Sequence, residues 1–326
     1  MLDHGGRLFA AARLYGMPKE NWLDLSTGIN PNGWPVPSFS GDAWLRLPQD
    51  EDGLEEAAIR YYGASQLLPV AGSQAAIQSL PRLRKPSMVA IVEPGYSEHA
   101  HAWKKQGHEV LGIPEKEIFD AAENAEVVIV INPNNPTGKF WGRQELLSMH
   151  GKLAEKGGWL IVDEAFIDAT PDRSLSRDCP LEGLIVLRSV GKFFGLAGAR
   201  VGFVLAAGKI LCSLREEIGP WTIATPSRLA ATIALQDCSW QEKTRLFLQE
   251  QCRLLVQVLE SHRLQVCGGT PLFQWVRSTE APHIFEGLAK QGILVRHFSY
   301  LSGLRFGLPK DDEELERLAF ALEKLG

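Results

Sequence analysis

Along the first two thirds of the chain, unbroken apolar runs alternate with stretches whose apolar positions recur every three to four residues. The runs at 88–92, 127–131, 159–162, 184–187 and 201–205 are rich in Val, Ile and Leu and show no polar alternation. Strands of that kind are buried on both faces, as in parallel sheets covered by helices. A helical stripe from about 53 places Leu54, Ala57, Ala58 and Tyr61 on one face and stops at Gly63, a residue suited to a left-handed C-cap. The alternation predicts an α/β fold whose mostly parallel central sheet carries helices on both faces.

Two changes of texture suggest domain limits. Residues 1–40 are rich in Gly, Pro and Asn, notably from Ser26 to Pro35, and read as an extended N-terminal arm with turns. Residues 41–225 form the large domain. Residues 226–326 form a smaller C-terminal α+β domain. It opens with a long helix at 240–262 carrying Leu246, Leu255 and Leu259, continues through strands around 272–276 and 293–296, and closes with a helix at 312–325.

Composition narrows the function classes. The net charge is −5 with no basic run to offset it, which argues against nucleic acid or an anionic membrane as partner. An anionic ligand would therefore need a local cluster of arginines and backbone N–H groups. The five cysteines are widely spaced and include no Cys-x-x-Cys, so neither a disulfide framework nor a zinc site is expected. No 18-residue apolar stretch or signal-peptide core is present, and a cytoplasmic protein is expected. His99, His101 and His108 read as solvated histidines of a surface helix, and no metal is expected.

Three of the buried-type strands end in polar groups, at the edge where open α/β sheets place ligand sites. The run at 127–131 leads into Asn132-Pro133-Asn134-Asn135-Pro136-Thr137-Gly138, and that at 159–162 into Asp163-Glu164-Ala165-Phe166. The run at 184–187 leads into Arg188-Ser189-Val190-Gly191-Lys192-Phe193-Phe194-Gly195-Leu196-Ala197-Gly198-Ala199-Arg200. A lysine in partly apolar surroundings has its charged form disfavoured and can attack a carbonyl. Each residue also has a plainer reading. Lys192 could be a solvated surface lysine, Asp163 a helix cap, Asn135 a turn residue and Tyr96 an ordinary buried tyrosine. Ser73 and Gln74, after Gly72, could simply open a helix.

In combination, these three segments resemble the class I/II aminotransferase family of pyridoxal phosphate (PLP) fold type I. The likeness runs from Asp3-His4-Gly5-Gly6 to Gly303-Leu304-Arg305-Phe306-Gly307-Leu308-Pro309. Within that family the pattern is most similar to the threonine-phosphate decarboxylase branch of cobalamin biosynthesis. The resemblance implies Lys192 as the Schiff-base lysine, Asp163 on the pyridine nitrogen, Asn135 on the ring hydroxyl and Tyr96 stacked on the ring. It implies a phosphate held by the Gly72-Ser73-Gln74 turn, Ser189 and Arg200. Arg305 would bind the substrate carboxylate and Arg296 a distal phosphate, with His4 and Asn30 contributed by the arm, although either arginine could instead form a structural ion pair. A homodimer and a small phosphorylated amino-acid substrate are implied as well.

Three departures from the family pattern bear on the reaction. Gly191 stands where many relatives have Ser or Thr. Phe166 replaces the tyrosine with which transaminases hold the ring hydroxyl. Leu47 replaces a tyrosine that reaches the neighbouring subunit's phosphate, with Tyr61 and Tyr62 as conceivable substitutes. Gly191 and Phe166 favour decarboxylation of L-threonine O-3-phosphate to (R)-1-amino-2-propanol O-2-phosphate. Histidinol-phosphate aminotransferase is the alternative, and a non-catalytic PLP-fold module a remote one.

Overall fold

The computed structural model describes residues 4–325. Its contacts divide the chain into two compact units. The smaller comprises the residues up to Asn32, Pro136–Gly138 and the chain from Glu242 onward. The larger comprises Gly33–Asn135 and Lys139–Gln241.

In chain order the strands among the described residues are β1 (Leu23–Leu25), β2 (Leu68–Val70), β3 (Met88–Glu93), β4 (Glu109–Pro114), β5 (Val127–Ile131), β6 (Trp159–Asp163), β7 (Leu184–Ser189), β8 (Gly202–Leu205), β9 (Val266–Thr270), β10 (Phe273–Arg277), β11 (Ile293–Phe298) and β12 (Gly303–Gly307). The larger unit holds the order β2-β8-β7-β6-β5-β3-β4. From β7 to β4 every neighbouring pair is parallel, and β5 is buried at every position, as its unbroken apolar run requires. One face packs Ile77, Leu80, Trp103 and Leu214 onto Ile91, Ile129, Ile161 and Ile185.

Strand β8 runs antiparallel to β7 and to β2. Parallel neighbours need a long crossover, whereas the chain between Ser189 and Gly202 folds as a loop with one 3-10 turn at Ala197–Ala199. That loop carries Lys192. Strands β2 and β4 lay outside the sequence expectation for separate reasons. β2 is a three-residue edge strand containing Pro69, a residue tolerated at sheet edges. β4 is the opposite edge and is mostly exposed.

In the smaller unit the order is β1-β11-β12-β10-β9, antiparallel except for β1 on β11. The N-terminal segment is therefore more than an extended arm. It contributes β1 and a helix, Leu8–Tyr15, whose Leu8, Ala11, Ala12 and Tyr15 pack with Trp22, Phe285, Ala289 and Leu294. The helical spacing was present in the sequence but lay upstream of the Gly- and Pro-rich turns that dominate the composition. The helix Thr225–Gln236 packs on Leu54–Tyr62 in the larger unit, with Arg228 Nε 2.6 Å from Asp52 Oδ2. The chain leaves that unit inside the long helix Cys238–Ser261, later than the limit near 225 suggested by composition. On that helix Leu248, Leu255 and Leu259 are buried, while Leu246 is exposed.

Ile129, fully buried at the centre of the sheet, gives a direct check of this core. Ile129→Ala is expected to destabilise the protein by about 2–5 kcal/mol, read as a lower denaturant midpoint with an unchanged slope.

Candidate active site

The parallel register sets the ends of β5, β6 and β7 along one edge of the sheet. Ile131 pairs with Asp163, and Asp163 with Leu187. The backbone N–H of Asn132 donates to Asp163 O at 2.8 Å and that of Glu164 to Leu187 O at 2.9 Å. Asn135, Asp163, Ser189 and Lys192 are therefore delivered by successive strand ends.

Asp163 is 4% exposed. Its Oδ1 accepts the Ala165 N–H at 3.1 Å and its Oδ2 lies 2.9 Å from His99 Nε2. A carboxylate offers about four acceptor positions, so this one can take a further N–H donor. His99 corrects the expectation of solvated histidines. It lies on the helix Ser97–Lys105, where it is buried together with Ala102 and Trp103. The spacing of His99 and Trp103 by four residues was the available signal. His108 is buried too, with Nδ1 accepting the Ser87 N–H at 3.1 Å and Nε2 donating to Pro81 O at 2.9 Å. That pairing makes it a structural histidine. His101 is exposed, as expected.

Lys192 is half-buried, with Nζ 5.5 Å from the centroid of the buried Phe166 ring. The two residues after it anchor its loop. Phe193 and Phe194 pack on Trp240 at 5.6 and 5.7 Å, and Tyr61 meets Phe194 at 5.5 Å. The Trp34 N–H donates to Phe194 O at 2.8 Å.

A second cluster has the character of an anion cradle. Gly72, at φ 74°, precedes the helix Ser73–Ser79. A Cβ added at Gly72 would lie 2.6 Å from Arg200 Nη2, and one at Gly202 would lie 2.5 Å from Ser73 N. The Arg200 guanidinium thus closes directly onto the turn that opens this helix, setting a fixed positive charge beside its backbone N–H groups, an arrangement suited to a phosphate. Ser189 Oγ accepts the Gly191 N–H at 3.1 Å, and Arg200, at φ 53°, donates from Nη1 to Ala197 O at 3.1 Å. The Tyr96 hydroxyl donates to Gln74 Oε1 at 3.2 Å, and Gln74 Nε2 donates to Glu98 Oε2 at 2.9 Å. Burial, aided by Glu98 and Asp163, pushes the Tyr96 phenol up to about 12, so it stays protonated at neutral pH.

In the smaller unit Arg296 on β11 stands directly opposite Arg305 on β12. Like charges in that position repel. Arg305 is 6% exposed, lies 5.1 Å over the Phe273 ring and donates from Nη2 to Ser26 O at 2.8 Å. Burial, with Arg296 adding to it and Asp24 opposing it, lowers its pKa to about 10. It is still a cation at neutral pH, and a bound anion would relieve the repulsion.

Ser26, absent from the sequence expectations, also ties down the N-terminal glycines. Its Oγ accepts the Gly6 N–H at 2.7 Å, and a Cβ at Gly5 would lie 2.3 Å from its carbonyl oxygen. The His4-Gly5-Gly6 run therefore lies beside the carbonyl that Arg305 holds. His4 itself is exposed. Asn30 is buried, its Oδ1 accepting the Asn32 N–H at 3.0 Å. Leu47 is exposed. Of its two suggested substitutes, Tyr62 is ruled out, being buried beneath the Arg188 guanidinium at 4.4 Å.

Comparison with known proteins was consistent over nearly the whole chain. The family model for aminotransferase class I and II matches residues 43–322. A threonine-phosphate decarboxylase of Pseudomonas aeruginosa is 48% identical, covering 99% of this chain and 97% of its own. One from Sinorhizobium sp is 40% identical, covering 99% and 98%. Among solved structures, histidinol-phosphate aminotransferase from Sinorhizobium meliloti in complex with pyridoxal-5'-phosphate superposes with a TM-score of 0.83. It covers 100% of this chain and 98% of its own at 20% identity, a likeness that concerns the fold.

The cradle at Gly72 can be tested separately. Gly72→Ala would displace the Arg200 guanidinium, and losing one charge-assisted contact, about 1.5–3 kcal/mol, corresponds to roughly tenfold or more weaker binding. Titration of the protein with PLP, followed by absorbance, is the measurement.

Proposed function

We propose that this chain, which belongs to the aminotransferase class I and II family, is a PLP-dependent lyase. It decarboxylates L-threonine O-3-phosphate to (R)-1-amino-2-propanol O-2-phosphate in cobalamin biosynthesis. The observation that carries the substrate class is the pair of arginines facing each other across β11 and β12. A ligand with two anionic ends would offset both charges. A buried guanidinium is well suited to a carboxylate, because its fork matches both oxygens.

The residues present fit PLP. The absence of a side chain at Gly72 lets the Arg200 guanidinium close onto the turn that opens the helix Ser73–Ser79, setting fixed positive charge beside backbone N–H groups as a phosphate requires. Asp163 retains acceptor capacity for a pyridinium N–H. Asp163 would hold the ring nitrogen and Asn135 the ring hydroxyl, while Tyr96 would cover a ring face. Ser73, Gln74, Ser189 and Arg200 would hold the phosphate, and Lys192 would bind the aldehyde carbon. When bound, PLP supplies an electron sink for the negative charge that develops at the substrate Cα.

The chain's own residues determine which bond is lost. Arg305 holds the carboxylate, and Arg296 with His4 holds the phosphate. Anchoring both ends would set the torsion about Cα that selects the bond to the carboxylate for cleavage. Carbon dioxide would leave, and Lys192 Nζ would be the group that returns a proton to Cα. Phe166 offers no hydroxyl to the ring oxygen, in keeping with a reaction that ends at Cα without amino transfer.

A cytoplasmic homodimer belongs to the same reading. Trp44, Leu45 and Leu47 form an exposed apolar stretch on the larger unit, suited to a second copy. No helix among the described residues is long and apolar enough to cross a membrane.

Purified protein given L-threonine O-3-phosphate is expected to release carbon dioxide continuously without forming pyridoxamine phosphate. Stoichiometric amino transfer from histidinol phosphate to 2-oxoglutarate would overturn the assignment. Lys192→Ala is expected to abolish turnover and the visible absorbance of the lysine-bound cofactor. Arg296→Gln is expected to raise KM about tenfold or more, through loss of a charge-assisted contact, while the ligand-free protein keeps its stability within about 1 kcal/mol.

A further inference from the structure

We propose that Arg188 and Glu164, which lie outside the cofactor constellation, are positioning residues that hold Asp163, Phe166 and Ser189 in place. The inference rests on the cofactor reading above and adds an ion-pair hub beneath it.

Side chains alternate across a strand. Asp163 and Glu164 are neighbours at the end of β6, as are Arg188 and Ser189 at the end of β7, so each cofactor-facing residue is backed by a charged one on the opposite side. Arg188 is 2% exposed and Glu164 fully buried. Arg188 Nη1 donates to Glu164 Oε2 at 3.1 Å, to Ser174 Oγ at 2.7 Å and to Ser176 Oγ at 2.8 Å. Its Nη2 donates to Asp168, and its guanidinium lies 4.4 Å over the Tyr62 ring. Glu164 Oε1 also accepts the Leu175 N–H at 2.8 Å.

Asp168, Ser174 and Ser176 all belong to the chain that follows β6. One guanidinium therefore gathers the entire segment 164–176 onto the end of β7. Phe166, whose ring lies 5.5 Å from Lys192 Nζ, sits inside that segment. A hub needed for packing alone could be apolar, since replacing a whole buried ion-pair network by well-packed uncharged groups is often neutral for stability. What the guanidinium fork adds is direction. It fixes the two strand ends relative to each other, and with them the carboxylate and the hydroxyl on their other faces.

Two variants separate direction from stability: Arg188→Lys, and the uncharged triple Arg188→Met/Glu164→Gln/Asp168→Asn. The amides of Ala165 and Gly191, bonded to Asp163 Oδ1 and Ser189 Oγ, report the two side chains by hydrogen exchange in cofactor-free protein. Both amides are expected to exchange faster while those of β5 remain protected, and PLP affinity is expected to fall about tenfold, the scale on which outer-shell partners act.

Folded variants with parental PLP affinity and unchanged exchange at Ala165 and Gly191 would overturn the proposal. If neither variant folds, Ser176→Ala removes only the bond its Oγ accepts from Arg188 Nη1 and the one it shares with Ser174 Oγ, and is expected to weaken PLP binding several-fold; unchanged affinity there would overturn it equally. Parent protein that fails to take up PLP would instead sink the cofactor reading on which the inference stands.

Discussion

The parallel pairing of β5, β6 and β7 is the constraint on which the larger unit's chemistry depends. A one-residue slip in any of these strands would turn its terminal residue to the opposite face. Asp163 would then exchange places with Glu164, or Ser189 with Arg188. The register is held by strands buried on both faces, with β5 and β6 contributing apolar residues at nearly every position. Dense packing and site geometry are in this sense one requirement: the core residues fix the strands, and the strands fix where polar side chains emerge.

Charge is distributed to match. Asp163 is buried with a histidine on one oxygen and a backbone N–H on the other, and keeps acceptor positions for a further donor. Arg188 is matched by two buried carboxylates. Arg305, by contrast, faces Arg296 across the sheet and has its pKa lowered by burial and by that neighbour. An arginine matched by carboxylates ties strand ends together, whereas two like charges set side by side favour an anionic ligand. The same residue type is therefore the centre of an ion-pair network in one unit and part of a like-charged pair in the other.

Much of this was legible from local pattern. Unbroken apolar runs located five strands of the larger sheet, because burial on both faces leaves no other composition available. The residues at the ends of those runs pointed to the family and its cofactor through a resemblance carried by three motifs. Elements with weak local signals were less visible: β2 with its proline, the exposed edge strand β4, and the N-terminal helix Leu8–Tyr15. The antiparallel run of β8 was also invisible, because a strand's apolar character does not encode its direction.

His99 marks the limit most clearly. As a sequence feature it belonged to a cluster of histidines with polar neighbours, and solvation was the economical reading. Its burial depends on how the helix Ser97–Lys105 turns toward the sheet, and its partner Asp163 is distant in the chain. Ser26, Glu164 and Arg188 are similar cases. The sequence by itself determined the fold class, the cofactor motifs and the residues available for chemistry, because these follow from local periodicity and residue type. Only the tertiary structure decided which charges meet, which are buried and which stand opposed, because those relations arise when strands distant in sequence are brought into register.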